Sequence, residues 1–490
     1  MINTNSRPST RLLLLIAFSI FTLYGISTLI SLRVEVHHPK LNPFRDVQKS
    51  QQPLSPQVTQ PIRPSSTQEK LEDLQIIWSK RNPNGLFNTI DDSGLQPQFY
   101  NPTFLELPQS SAHQFMVFGR LRHEMIHIGE QRYRKSRVAV FFANLTKDGF
   151  GNPVMKNFEM WNETILDHLY EPAIKHTCER HDYIGPEDVK AWWTTSGAPM
   201  LMFTNIYPIG NIKECFSMYM VDARAVTPRL DEALGEYGTH LPPIEFDTPV
   251  RLHRAEPRSV EKNWAPFQAP FGPDAGDIFF NVELDGQRAY KFDRFDEYVR
   301  PVKTPPSSSP LDEAFYLSGA GEPEQPAEPK RATCLHNLVD KYGYWQIHQG
   351  TPVLSMTLCN RGECEPNIHN TVNFGIIQPK YVKPLNWYEP RIATWNITRP
   401  FEWRSISKRL TYHGTKSREY VYTMHMSYFF NTTSPPENRA HGFLDDEIWL
   451  GFGVADSRGA FMDVDARELM ADHHYCDGAT SDYRTTRTDF

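Results

Sequence analysis

The sequence predicts an all-β body, and three observations carry that reading. Short runs of β-branched and aromatic residues recur between turns. Aromatic residues make up 12% of the 490-residue chain, and 39 prolines punctuate it. The strand–helix alternation of a doubly wound parallel sheet is missing.

The strand-like runs, in order, are "QFMVFGRLR", "RVAVFFANL", "PMLMFTNI", "CFSMYMVD", "DIFFNVEL", "TPVLSMTL", "NTVNFGIIQPKY", "EYVYTMHMSYFF" and "DEIWLGFGVADSRGAFMDV". Helical periodicity is confined to a few places such as "DLQIIWSKR" and "VDARELMADHH". Repeated small sheets fit this pattern, either as a propeller of roughly four to eight blades or as a sandwich, and periodicity alone does not choose between them. The formal charge of −7 and the lack of a dense basic block argue against a nucleic-acid partner.

Residues 1–11 read as a short cytosolic tail. From Leu12 to Leu32 the chain runs "LLLLIAFSIFTLYGISTLISL" without a charge. At 1.5 Å per residue this covers roughly 30 Å, the thickness of a hydrocarbon core. A cleaved signal peptide has a shorter apolar region and a small-residue cleavage site. The segment therefore reads as a signal anchor in a type II arrangement, in the Golgi or another secretory-pathway membrane, with the bulk of the chain in the lumen. Residues 33–70 are rich in Pro, Gln and Ser and form a stem. Residues 71–490 form the lumenal domain, with an exposed Pro- and Ser-rich insertion at about 302–331.

Two further features agree with a lumenal body. Asn144, Asn162, Asn396 and Asn431 each open an N-glycosylation sequon. Six cysteines form an even set, and Cys359 and Cys364 flank "NRGE", a turn that a disulfide could close.

The stretch "GPED" sets Glu187 and Asp188 side by side after a Gly-Pro turn, at the mouth of a strand. Successive strand side chains point to opposite faces, so one acid looks into a pocket and the other into the packing. Arg120, Lys262 and His348 lie near other strand ends, and if their loops converge they make a nest for phosphate oxygens. Taken singly, each reads as well as a surface or turn residue.

The ordered set "GPED", "EKNW-PF", "H-GTP" and "DDEIWL-FG----G--DV" resembles the fungal β-1,2-mannosyltransferases, glycosyltransferase family 91. More distantly it is similar to the mannoside phosphorylases of glycoside hydrolase family 130. The resemblance runs from about residue 113 to 476. It implies a five-bladed β-propeller with the active site at its axis. It also implies transfer of mannose from GDP-mannose to a mannoside or glycan acceptor, with inversion, giving a β-1,2 linkage.

In that reading Asp188 is the acid/base and Glu187 pins the turn beside the sugar, although the two could be reversed. Arg120, Lys262, Asn263 and His348 hold the donor phosphates, and Asp446 holds mannose hydroxyls. Trp264 either stacks on a sugar or packs in the core. The cations stabilise the leaving group and no metal is required. One departure stands out: the phosphorylases continue the acid pair with Pro-Arg, where this chain has Val189-Lys190.

Three other readings compete. A metal-dependent transferase would want a DxD, and the obvious one is Asp463-Val464-Asp465, where alternation points both acids to one solvated face. The same propeller could carry out phosphorolysis or hydrolysis of β-mannosides. It could also be a non-catalytic glycan-binding platform, in which case Asp188, Lys262 and His348 have no reason to converge.

Overall fold

The computed structural model describes residues 74–476, apart from 92–97, 129, 158–162, 167–182, 207–215, 255–257, 259, 284–287, 294–298, 302–333, 335–346, 382–386, 417–418 and 431–437. The expected anchor, stem and insertion, and the sequons at Asn162 and Asn431, lie outside the described residues. Among the described residues no helix is long and apolar enough to cross a membrane.

The described chain is mostly β. Strands Glu187–Trp193, Pro199–Ile206, Phe216–Asp222 and Val250–Leu252 form an antiparallel sheet in chain order. Strands Ala265–Phe267, Phe279–Glu283, Arg288–Phe292 and Val299–Pro301 form a second. An eight-stranded sheet is built around Thr371–Tyr381, which pairs with Ile347–Gln349, Leu354–Thr357 and Arg391–Asn396. A ten-stranded sheet joins Val421–Tyr428, Glu447–Val454 and Arg458–Asp465 to the early strands Phe99–Glu106, Phe115–Ile128 and Gln131–Lys147. Its two halves meet where Asn88–Asp91 pairs in parallel with Pro153–Asn157.

Burial explains why these short strands hold. Several strands, such as Phe99–Glu106, Phe216–Asp222 and Leu354–Thr357, are buried along their whole length, so they read as apolar runs more than as alternations. The apolar clusters lie between sheets that follow one another in sequence. Phe118, Val140, Val189 and Phe203 form one, and Trp192, Met202, Met218 and Phe280 the next. Phe267, Phe279, Trp395 and Trp403 form a third, and Phe374, Ile392, Leu450 and Phe452 a fourth. A fifth packs Phe99, Phe104 and Phe141 against Trp449 and Phe461, bringing the last sheet segment back onto the first.

Two sequence expectations change. "DLQIIWSKR" is not helical: Leu74–Ile77 is a strand, paired in parallel with Arg409–Tyr412. Gln75, Ile77 and Ser79 are buried while Ile76 and Trp78 are exposed, which is a period of two. The Asp463-Val464-Asp465 triplet does not share a solvated face. Asp463 is buried and accepts from Ser79 Oγ at 2.6 Å and the Arg81 backbone N–H at 2.7 Å. Asp465 caps the short helix Ala466–Leu469.

Cys359 and Cys364 are bonded, and Cys334 is paired with Cys476. Two sequon asparagines are described. Asn144 accepts the Gln114 backbone N–H at 2.7 Å, and Asn396 accepts from Arg404 Nε.

Candidate functional site

The Gly-Pro turn is seated by packing. Gly185 has φ +88°, and a Cβ there would meet the Ser136 carbonyl oxygen at 2.4 Å, so only glycine fits. Ser136 Oγ in turn accepts from Arg120 Nε at 2.9 Å, across the paired strands Phe115–Ile128 and Gln131–Lys147. The turn thus delivers the two acids directly to this arginine.

Both acids reach the same guanidinium, contrary to the opposite-faces expectation. Arg120 Nη2 donates to Glu187 Oε1, while Arg120 Nη1 lies 3.6 Å from Asp188 Oδ1. The cause is the backbone: Asp188 takes φ 53°, which interrupts the alternation just at the pair. Asn263 (φ 62°) and Asp456 (φ 47°) are also left-handed and belong to the same neighbourhood. Asp and Asn tolerate that region better than other side chains do, and such outliers gather where function over-determines the backbone.

Glu187 is the electrostatic centre. Its side chain is 4% exposed and also accepts from Lys262 Nζ at 3.0 Å, with His123 Nε2 at 3.8 Å. Burial alone would raise its pKa, but Arg120 and Lys262 outweigh this and hold the carboxyl well below the usual range. Lys262 feels the reciprocal effect: burial lowers its pKa, Glu187 and Asp188 raise it, and the net shift is upward. Asp188 is the more open acid at 15% exposure, and Lys262 keeps 30%. The formal charges of Arg120, Lys262, Glu187 and Asp188 cancel, so the pair of cations is not the free anion nest expected from sequence.

Asn263 continues the cluster, since its Oδ1 accepts from Tyr422 Oη at 3.0 Å. The His348 ring lies 6.1 Å from Tyr422 and 5.4 Å from Tyr388. Burial, with Lys380, Lys262 and Lys190 adding to it, pushes His348 down to about 3. The ring therefore offers a neutral imidazole near pH 7.

Two other expected site residues sit elsewhere. Trp264 is 1% exposed, packs at 5.9 Å from Phe280 and donates Nε1 to Glu261 at 3.2 Å, so it belongs to the core and has no face for a sugar. Trp264→Ala is expected to cost about 3–5 kcal/mol of stability. Chemical denaturation checks this, and a loss below about 1 kcal/mol would contradict the burial. Asp446 closes the Phe443–Glu447 turn. It accepts the Phe443 N–H at 2.7 Å and pairs with Arg361 at 2.5 Å, from the loop closed by Cys359–Cys364.

The acid that does join the site is Asp456, in the turn after strand Glu447–Val454. Asp456 is exposed as a residue, but desolvation of its carboxyl raises the pKa; Arg120 opposes that, Asp188 reinforces it, and a hydrogen bond from Tyr420 opposes it. Tyr388 and Tyr420 line the same wall, with ring centroids 5.2 Å apart. Sequence reading also missed His123 and Tyr100, whose ring lies 5.7 Å from the Arg120 guanidinium. A register shift between Leu121 and Glu124 turns His123 towards Arg120, and nothing in the local pattern signals that bulge. Lys190 was visible only as a departure from a motif.

No protein-family model matches the chain, and no curated protein matches it. Similar solved structures include MPT-1, a GDP-Man-dependent mannosyltransferase from Leishmania mexicana, with 11% identity over 77% of this chain and 89% of that one, at a TM-score of 0.36. MPT-4, a mannose phosphorylase from Leishmania mexicana in complex with phosphate ion, has 10% identity over 85% and 96%, at 0.37. A glycosyl hydrolase from Bacteroides ovatus has 12% identity over 78% and 87%, at 0.35.

Proposed function

We propose that this chain is a carbohydrate-active enzyme that transfers mannose from GDP-mannose to a mannoside acceptor, with inversion. One observation carries the reading: Asp188, Glu187, Arg120, Lys262 and Asn263, from three separate strand systems, meet in one cluster. A mere binding platform has no need of a partly exposed acid held against a buried ion-pair network. In this reading the sheets act as five blades around the site, and the 12–32 segment tethers the domain within the secretory pathway.

Asp188 takes the proton of the acceptor hydroxyl as the glycosidic bond to the leaving diphosphate breaks, and the acceptor oxygen attacks from the opposite face. Glu187 stays ionised and holds Arg120 and Lys262 in place. The N–H groups of Lys262 that are not used by Glu187, with the Asn263 amide, receive the diphosphate. Neutral His348, Asp456 and Tyr420 offer hydrogen bonds to sugar hydroxyls. In this reading the charge on the leaving group is met by Lys262 and Asn263, without a metal.

Lys262→Ala is expected to weaken GDP binding by about 1.5–3 kcal/mol, the worth of a charge-assisted bond. Calorimetry decides it, and unchanged affinity would mean that this ammonium does not face the donor. The function itself is tested with a panel of nucleotide sugars and simple mannosides, the product linkage being read by NMR. Mannose 1-phosphate released from a mannoside plus inorganic phosphate would reassign the site to phosphorolysis. Glycan binding with no turnover of any donor would reassign it to a platform.

A further inference from the structure

Strand Glu187–Trp193 carries a second buried charge that the proposed reaction does not use. Lys190 is 1% exposed and two residues beyond Asp188. Its Nζ donates to the Trp264 carbonyl at 2.6 Å and to the Gln349 carbonyl at 2.8 Å. Trp264 directly follows Lys262 and Asn263, and Gln349 directly follows His348. One nitrogen therefore binds the three segments that bear Asp188, Lys262–Asn263 and His348.

The neighbouring bonds extend the tie outwards. Gln349 Nε2 donates to the Asn281 carbonyl at 2.7 Å, and the Gly350 N–H to the Ile376 carbonyl at 2.9 Å. A buried lysine is costly unless it is bonded, and burial brings its pKa to about 7, with Asp188 pulling the other way. An ammonium has three N–H donors and a neutral amine two, so both carbonyls stay bonded in either form.

We propose that Lys190 is a positioning residue whose side-chain nitrogen sets the spacing between Asp188 and the 262–264 and 348–349 segments. It thereby keeps Lys262, Asn263 and His348 in register with the acid. An arginine is too large for a point donor shared by two converging carbonyls, which gives the Val189-Lys190 departure a physical meaning.

The test uses the full-length protein with Lys190→Met and Lys190→Gln. Methionine matches the lysine stem as far as Cε and removes every donor, whereas glutamine keeps two N–H groups on a shorter stem. Hydrogen–deuterium exchange is read at 262–265 and 348–351, with the hairpin Glu447–Val454/Arg458–Asp465 as internal reference. Lys190→Met is expected to speed exchange about tenfold or more in both segments, Lys190→Gln less, with the reference unchanged. GDP affinity is expected to fall in the same order. A folded variant with unchanged exchange in the two segments overturns the proposal, and so does an equal acceleration everywhere. Should Lys190→Met fail to fold, Lys190→Gln decides by the same comparison. If the wild type binds no GDP, the donor assignment above fails, while the exchange comparison still reads the clamp.

Discussion

Asp188→Asn is expected to slow the proposed mannosyl transfer by about 10²- to 10⁴-fold, the usual worth of a positioned general base. Asparagine suits this position for two reasons. It tolerates the left-handed backbone at φ 53°, which alanine would strain, and it keeps the carboxylate's shape. It cannot take a proton. The loss should therefore fall on turnover, with GDP affinity within about threefold of wild type because Lys262 and Asn263 are untouched. Transfer rates beside calorimetry with GDP settle the matter. Near-normal turnover would remove Asp188 from the chemistry, and a collapse of GDP affinity would recast it as a binding residue.

Glu187→Gln should produce a large loss of stability through the charge network. Its carboxylate answers Arg120 and Lys262 together, and breaking a buried pair costs about 3–5 kcal/mol because the partners are left uncompensated. Lys262, at 30% exposure, can recover some hydration, which favours the lower end. Urea unfolding measures the difference, and a variant as stable as wild type would contradict the assigned network.

The same carboxyl sets an acid dependence. Its native pKa lies below the unfolded value near 4.5, so the unfolded chain binds the proton first as pH falls. The stabilisation is whole above that value and is lost as pH drops through the depressed native pKa. Wild type and Glu187→Gln should therefore converge in stability on acidification below about pH 4.5. A gap that stays constant down to pH 2 would show that Glu187 is not the responsible group.

The acid pair and two of its cations were legible in the sequence because each stands beside a turn at a strand end, where side chains are free to converge. What they do to one another was not. The alternation rule sent Glu187 and Asp188 to opposite faces, and a single left-handed residue cancelled it. Asp446 and Asp456 show the same difficulty at longer range. They flank opposite ends of strand Glu447–Val454, whose eight residues at about 3.3 Å each make it roughly 26 Å long. Both look like acids in turns, and only the sheet's orientation decides that Asp456 is the one beside Arg120. For Trp264 the aromatic type was compatible with a sugar platform or a core, and packing against Phe280 chose the core.

By itself the sequence determined the β-rich class, the turns and the supply of acids and cations, because strand propensity and turn chemistry act over a few residues. The tertiary structure alone decided which carboxylate is sealed by cations and which keeps the greater exposure. It also decided that His348 is neutral, and that Lys190 fastens three strand systems together. Those outcomes depend on burial and on charges more than 60 residues apart in the chain, such as Arg120 with Glu187. Electrostatic energies of that kind are set by distance and desolvation in space, and no local pattern encodes them.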